Sequence, residues 1–237
     1  DEIIEKRGLP SQNWGSRIRE VCYQAYEDGE LHDCEDWSLE LDGFAHIPGP
    51  TGSHKSSFMQ VMAMHMAQQG KRVALVVTDT ITSIRMANDL NRSFCDQGTD
   101  PLAAPIFGRS MRDYHRQRLY SSNAYNENPD DFWWADRWLS PLCLLQGCAT
   151  SHQLPEPLPV GDEPCENLVE IRDNKEQRSS CSLVSLCPSQ QVYRDMLTAP
   201  IWITTPGALG AATLPSFVDA RRPKLGEFVY EQCHVIV

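Results

Sequence analysis

Along residues 43–95 the apolar and polar positions change period in a regular way. "GFAHI" at 43–47 is a short apolar run that leads into the glycine-bearing "PGPTGSHKSS". From Lys55 to Gln69 the apolar positions Phe58, Val61, Met62 and Met66 recur at helical spacing, with His65 on the same face as a core histidine. Gly70 stands where a helix stops. "RVALVV" at 72–77 is unbroken apolar sequence, the pattern of a strand buried on both faces of a parallel sheet. "TDTITSIRMANDLNRSF" at 78–94 returns to the helical period. Strand, helix, strand, helix implies a doubly wound α/β sheet.

The alternation stops near residue 100. "DPLAAPIFG" predicts a short strand, followed by a basic helical segment and the aromatic-rich "NAYNENPDDFWWADRWL". Within 141–188, "LPEPLPVGDEP" is too rich in proline for a helix or a central strand. A helix resumes at 190–197. "APIWITTPGALGAATL" then predicts a buried strand, a turn and a helix of small residues, and "HVIV" a last strand. Residues 1–42 read as mostly helical and polar, ending in the acidic run "EDGELHDCEDW". The expected organisation is an N-terminal helical segment (1–42), the first part of an α/β core (43–100), an insertion (101–189) and the return strands of the core (190–237).

Charge and cysteine content change this picture in two places. The formal charge of -11 makes the whole chain a poor magnet for nucleic acid, so such a contact needs a local basic patch. "GRSMRDYHRQR" at 108–118 offers one, with Arg109, Arg112, Arg116 and Arg118; a solvated helix face is the competing reading. Of the nine cysteines, Cys143, Cys148, Cys165, Cys181 and Cys187 fall in one polar stretch. In a reducing compartment clustered cysteines point to metal or catalysis rather than to disulfides. Cys22, Cys34, Cys95 and Cys233 are scattered and read as ordinary buried or half-buried thiols. No run of apolar residues is long enough to span a membrane and the N-terminus is charged, so a cytoplasmic location without membrane contact is expected.

The glycine-bearing stretch carries the sharpest chemistry. "GPTGSHKS" fits the phosphate-binding pattern G-x-x-x-x-G-K-[ST] at every defined position but the sixth, where His54 replaces glycine. Gly49, Pro50, Thr51, Gly52, Ser53, His54, Lys55, Ser56 and Ser57 are the candidate phosphate-binding residues. Backbone N–H groups of such a loop wrap the phosphates, Lys55 reaches the terminal phosphates, and the Ser56 hydroxyl ligates Mg²⁺. At position 54 right-handed backbone angles, open to any L-residue, are expected, and a protonated histidine can donate to a phosphate oxygen.

Three stretches resemble the motifs of superfamily 2 helicases. "GPTGSHKSS" is similar to their motif I, "VALVVTDTITSIRMANDL" to the motif Ia region, and "IWITTPGAL" to the strand and turn placed before motif II. "HVIV" is similar to the strand that runs into the Asp-Glu box of that family. The cysteine-bearing stretch, and "CPSQQVYRDMLTAPIWITTP" after it, resemble the iron–sulfur helicases of the XPD/DinG type.

The resemblance implies a RecA-like parallel sheet with a cysteine-rich insertion, and a DNA helicase motor that binds and hydrolyses ATP with Mg²⁺. It implies a [4Fe-4S] cluster on Cys148, Cys165, Cys181 and Cys187, with Cys143 as the alternative to Cys148 and zinc as the alternative metal. It places Thr78, Thr80, Thr204 and Thr205 near the nucleic-acid path, and it implies single-stranded or forked DNA and repair or phage-defence proteins as partners. The Asp-Glu box and a second motor domain lie outside residues 1–237, so these residues alone are expected to bind ATP without turning it over. The competing class is a non-translocating ATP-binding scaffold or sensor with a structural metal.

Overall fold

The computed structural model describes residues 1–9, 11, 13–19, 24–27, 30–33, 43, 46–108, 112–145, 164–172, 175–179 and 181–237. Two short helices, α1 (Glu2–Lys6) and α2 (Trp14–Arg19), open the chain, and an antiparallel hairpin of β1 (Gln24–Glu27) and β2 (Glu30–Asp33) follows. The hairpin departs from the mostly helical expectation for residues 1–42. Between its strands the sequence reads Asp28-Gly29, the dipeptide that favours a two-residue reversal, and this local signal outweighs the polar composition.

The core then alternates as expected: α3 (Lys55–Gln68), β3 (Val73–Val76), α4 (Thr80–Phe94) and β4 (Ala103–Pro105). The strand expected at 43–47 is not formed at Gly43, His46 or Ile47; Phe44 and Ala45 lie outside the described residues. Pro48 and Pro50 follow directly, and proline supplies no N–H to a strand ladder. Next come α5 (Arg112–Tyr120), α6 (Asn123–Glu127), a 3-10 turn (Pro129–Phe132) and α7 (Trp133–Leu139). Further on are α8 (Pro164–Asn167) and a second antiparallel hairpin, β5 (Leu168–Arg172) with β6 (Lys175–Ser179). A 3-10 turn (Pro188–Gln190), α9 (Gln191–Thr198), β7 (Ile201–Thr204), α10 (Pro206–Ala211), α11 (Leu225–Gln232) and β8 (Val235–Ile236) complete the described elements.

One sheet organises these pieces. It is four-stranded and all parallel, in the order β4–β7–β3–β8, with Val73 opposite Ile201 and Ala103 also opposite Ile201. Ile201 and Ile203 point to one face of the sheet and Trp202 to the other, yet all three are fully buried, so both faces are covered. Val73, Ala74 and Leu75 are equally buried, which is what the unbroken apolar run predicts. The Trp202 ring stacks on Phe228 of α11 at 5.6 Å, and its indole N–H donates to the carbonyls of Met196 and Ala199.

The inner face of α3 differs from the expected one. Ser57 and Ala63 are its buried residues, with Met64 and Ala67 packed beside them, while His65 is exposed and pairs with the Gln69 side chain at 3.0 Å. Val61 and Met66, expected on this face, do pack against the core and Phe58 and Met62 are half-buried, so the clear departure from the expected face is His65. Gly70 ends the helix at φ 73°, as its position predicted. Buried carboxylate Asp195 ties α9 to α7, accepting from Arg137 at 2.5 Å, the Trp138 indole at 2.8 Å and Gln191 at 2.7 Å. Among the described residues no helix is long and apolar enough to cross a membrane.

Candidate functional site

Strand order decides where a ligand could sit. The chain leaves β3 toward β4 and leaves β7 toward β8, so connections from two adjacent strands depart in opposite directions. In open parallel sheets such a switch point opens a crevice beyond the carboxyl ends of the strands. The short turn from α3 to β3 reverses the chain, and α3 packs on β3 and β7, so its first turn also faces this edge. The loop 49–54 therefore lies toward the carboxyl edge of the sheet.

The loop closes around the Lys55 ammonium. Its Nζ donates to the carbonyls of Gly49 at 2.5 Å and Pro50 at 2.6 Å and to Ser53 Oγ at 3.1 Å. Ser53 N–H and Oγ both donate to the Pro50 carbonyl, at 3.3 and 2.9 Å, which makes a tight turn. A Cβ on Gly49 would stand 2.9 Å from Ser53 Oγ and 3.4 Å from the lysine side chain, so a larger residue there would push these side chains aside. Gly52 has φ 88°, in the left-handed half of backbone space. Ser56 is exposed on the first turn of α3 and Ser57 is buried. His54 overturns the expectation of right-handed angles: it sits at φ 55°, ψ 22°, a left-handed conformation. That geometry crowds the Cβ of any L-residue and costs about 1 kcal/mol, which is why glycine suits the sixth position of the pattern.

The other residues at this edge have mixed assignments. Thr78 and Asp79 are exposed and Thr80 is half-buried. Asp79 accepts from the Thr82 amide at 2.9 Å and its hydroxyl at 2.7 Å, and these bonds hold its carboxyl below its ordinary value. Thr204 is fully buried and its hydroxyl donates to the Ile106 carbonyl at 2.9 Å, so it faces inward. Thr205 is nearly buried, its Oγ1 accepting from the Ala208 amide.

On α5 the arginines separate by environment. Arg112 is 6% exposed and donates inward to the carbonyls of Ser189 at 2.7 Å and Ser140 at 3.3 Å. Arg116 is half-buried and paired with Asp113 at 3.1 Å. Arg118 is exposed, with its guanidinium 5.7 Å from the Tyr114 ring centroid. His115 is buried between them, and burial, then Arg118, lower its pKa against the opposing pull of Asp79. Arg109 lies outside the described residues. Tyr114, absent from the expected set, was signalled by its i, i+4 spacing to Arg118.

Of the candidate metal ligands, Cys148 lies outside the described residues. Cys181 and Cys187 are buried, Cys143 and Cys165 half-buried. The 3-10 turn 188–190 touches two of them. Cys187 Sγ lies 3.2 Å from Ser189 Oγ and 3.8 Å from the carbonyl of Leu142, which precedes Cys143. Gln190 Nε2 donates to Cys165 Sγ at 3.2 Å. Arg194 Nη1 fixes the 181–187 turn by donating to the carbonyls of Val184 and Cys187, both at 2.7 Å. The donor chemistry suits a thiophilic metal, but among the described residues no three or more Cys, His, Asp or Glu side chains converge as ligands. Cys95 and Cys233 behave as half-buried thiols, burial pushing the second up to about 12.

Comparison of the chain with protein-family models, with curated proteins and with solved structures finds no match.

Proposed function

We propose that this chain is the ATP-binding part of a nucleic-acid-translocating ATPase of the helicase kind. The observation that carries the reading is the loop 49–54, wound around Lys55 at the switch-point edge of a parallel sheet and opening directly into α3. In this reading the backbone of 50–54 and the first turn of α3 cradle the phosphates, Lys55 exchanges its loop carbonyls for terminal phosphate oxygens, and Ser56 offers its hydroxyl to Mg²⁺. The nucleotide supplies the phosphoryl group; water orientation needs a carboxylate pair, and charge stabilisation needs arginines from a second motor domain. Thr78 and Thr205 border the same edge, where strand-tracking contacts to phosphates belong in this reading. Residues 1–237 alone then bind Mg-ATP without turnover. Filter binding of labelled ATP should show Mg²⁺-dependent retention by wild type and none by Lys55→Ala. Equal retention by both would remove Lys55 from the site and the reading with it.

We propose further that Cys165, Cys181 and Cys187, with Cys148 or Cys143, hold a [4Fe-4S] cluster, with zinc as the alternative. Support comes from Cys187 and Cys165, whose sulfurs touch Ser189 and Gln190 of the 188–190 turn. Anaerobically purified protein should be yellow-brown and carry iron with acid-labile sulfide, and Cys187→Ser should lose both. Colourless protein with stoichiometric zinc would replace the cluster by a structural zinc site.

A further inference from the structure

The basic segment expected to touch nucleic acid divides in the folded chain, and its exposed half carries an aromatic group. Arg112 and His115 face inward: Arg112 Nη1 is held by two carbonyls, and the His115 ring lies 6.3 Å from Phe107. These contacts clamp α5 in place. On its outer face stand Tyr114, Gln117 and Arg118, at helical spacing i, i+3, i+4. Tyr114 is 48% exposed, edge-on to His115 at 5.5 Å and next to the Arg118 guanidinium. Tyr120, the last residue of α5, is 41% exposed and packs against Tyr125.

Charge and position narrow what this face suits. Arg112 is turned inward and Arg116 is paired with Asp113, so the charge this face presents is that of Arg118, a local cation in a chain of net charge -11. Phe107 follows Ile106, whose carbonyl accepts the Thr204 hydroxyl, so α5 adjoins the carboxyl ends of β4 and β7. That is the edge bearing Thr78, Thr205 and the loop 49–54.

We infer that the Tyr114–Arg118 face of α5 is a base-stacking contact for single-stranded nucleic acid. The inference rests on the nucleic-acid reading above and names where on the molecule the strand lies. The Arg118 guanidinium lies over one face of the half-exposed ring; a base stacks on the other face, and Arg118 meets the phosphate beside it. Unpaired bases stack on such platforms whatever their sequence, whereas duplex bases are already stacked on each other. The test is anisotropy of a labelled oligo(dT) strand titrated with wild type and variants over a range of salt concentrations. Tyr114→Ala should weaken binding roughly tenfold with its salt slope unchanged, and Tyr114→Phe should bind as wild type does. Arg118→Ala should weaken binding and lower the slope by about 0.7, the share of one phosphate on a single strand. Because Tyr114 is half exposed, each variant should melt where wild type does. If wild type binds the strand and Tyr114→Ala binds equally well, α5 is not the contact and the inference fails alone. Equal loss in Tyr114→Ala and Tyr114→Phe would also overturn it, since stacking survives in phenylalanine. No binding by wild type would overturn the nucleic-acid reading beneath it.

Discussion

Helices α4 and α10 begin at the same edge of the sheet as α3, but their first turns are closed in another way. Asp79 caps α4 by accepting from the Thr82 amide, and Thr205 caps α10 by accepting from the Ala208 amide. The first residue of a helix needs such an oxygen, because the opening N–H groups have no partner within the helix. At α3 the preceding residue is His54, left-handed and making no side-chain capping bond. Its loop spends its own carbonyls on the Lys55 ammonium instead. Two entrances thus satisfy themselves with side-chain oxygens. The third brings a cation and a helix N-terminus to one place, an arrangement that suits an anion with several oxygens.

Removing the platform under all three entrances should have the largest effect. Trp202→Ala, at a fully buried position, should lose about 3–5 kcal/mol in urea unfolding and weaken nucleotide binding with it. Asp79→Ala should cost about 1 kcal/mol through the lost cap of α4, yet leave ATP binding unchanged. A loss of ATP affinity with that variant would mean the entrances are coupled rather than different in kind. The smallest effect is in acid. Asp79 has a folded pKa below its ordinary 3.8, so its stabilisation is present above that value and fades as pH falls through the folded one. Asp79→Asn keeps the capping oxygen without the titration and should flatten the acid limb of a stability–pH curve; an unaltered limb would assign the acid response to other carboxylates.

How much of this was legible in the sequence depended on whether a feature is local. The apolar runs that became β3 and β7 are buried over Val73–Leu75 and Ile201–Thr204, and Gly70 ends α3 where it was expected to. The hairpins do not show as apolar runs because their strands are short and β1, β2 and β6 are largely polar, although β5 is apolar at Leu168, Val169 and Ile171, and Asp28-Gly29 and Asp173-Asn174 are turn-forming pairs readable in the sequence. On α3 Val61 and Met66 pack against the core as their spacing predicts, whereas Ser57 and Ala63 are the most buried residues and His65 is exposed. Arg112 reads as a surface cation, and only the distant carbonyls of Ser140 and Ser189 turn it inward. At position 54 the pattern held the answer: a glycine consensus reports a left-handed backbone, and a histidine there takes the same angles.

The central claim is that residues 49–56 form a phosphate loop in which His54 occupies a glycine's backbone position. Calorimetric titration of Mg²⁺ and a non-hydrolysable ATP analogue into wild type, His54→Gly and Lys55→Ala tests it most directly. Wild type should bind, His54→Gly should bind equally or more tightly because glycine takes φ 55° without strain, and Lys55→Ala should give no heat of binding. Binding weakened by His54→Gly would contradict the claim, since the histidine would then be a contact rather than a stand-in. Silence from wild type, with heat only from His54→Gly, would contradict it too, because His54 would then be closing the loop to nucleotide.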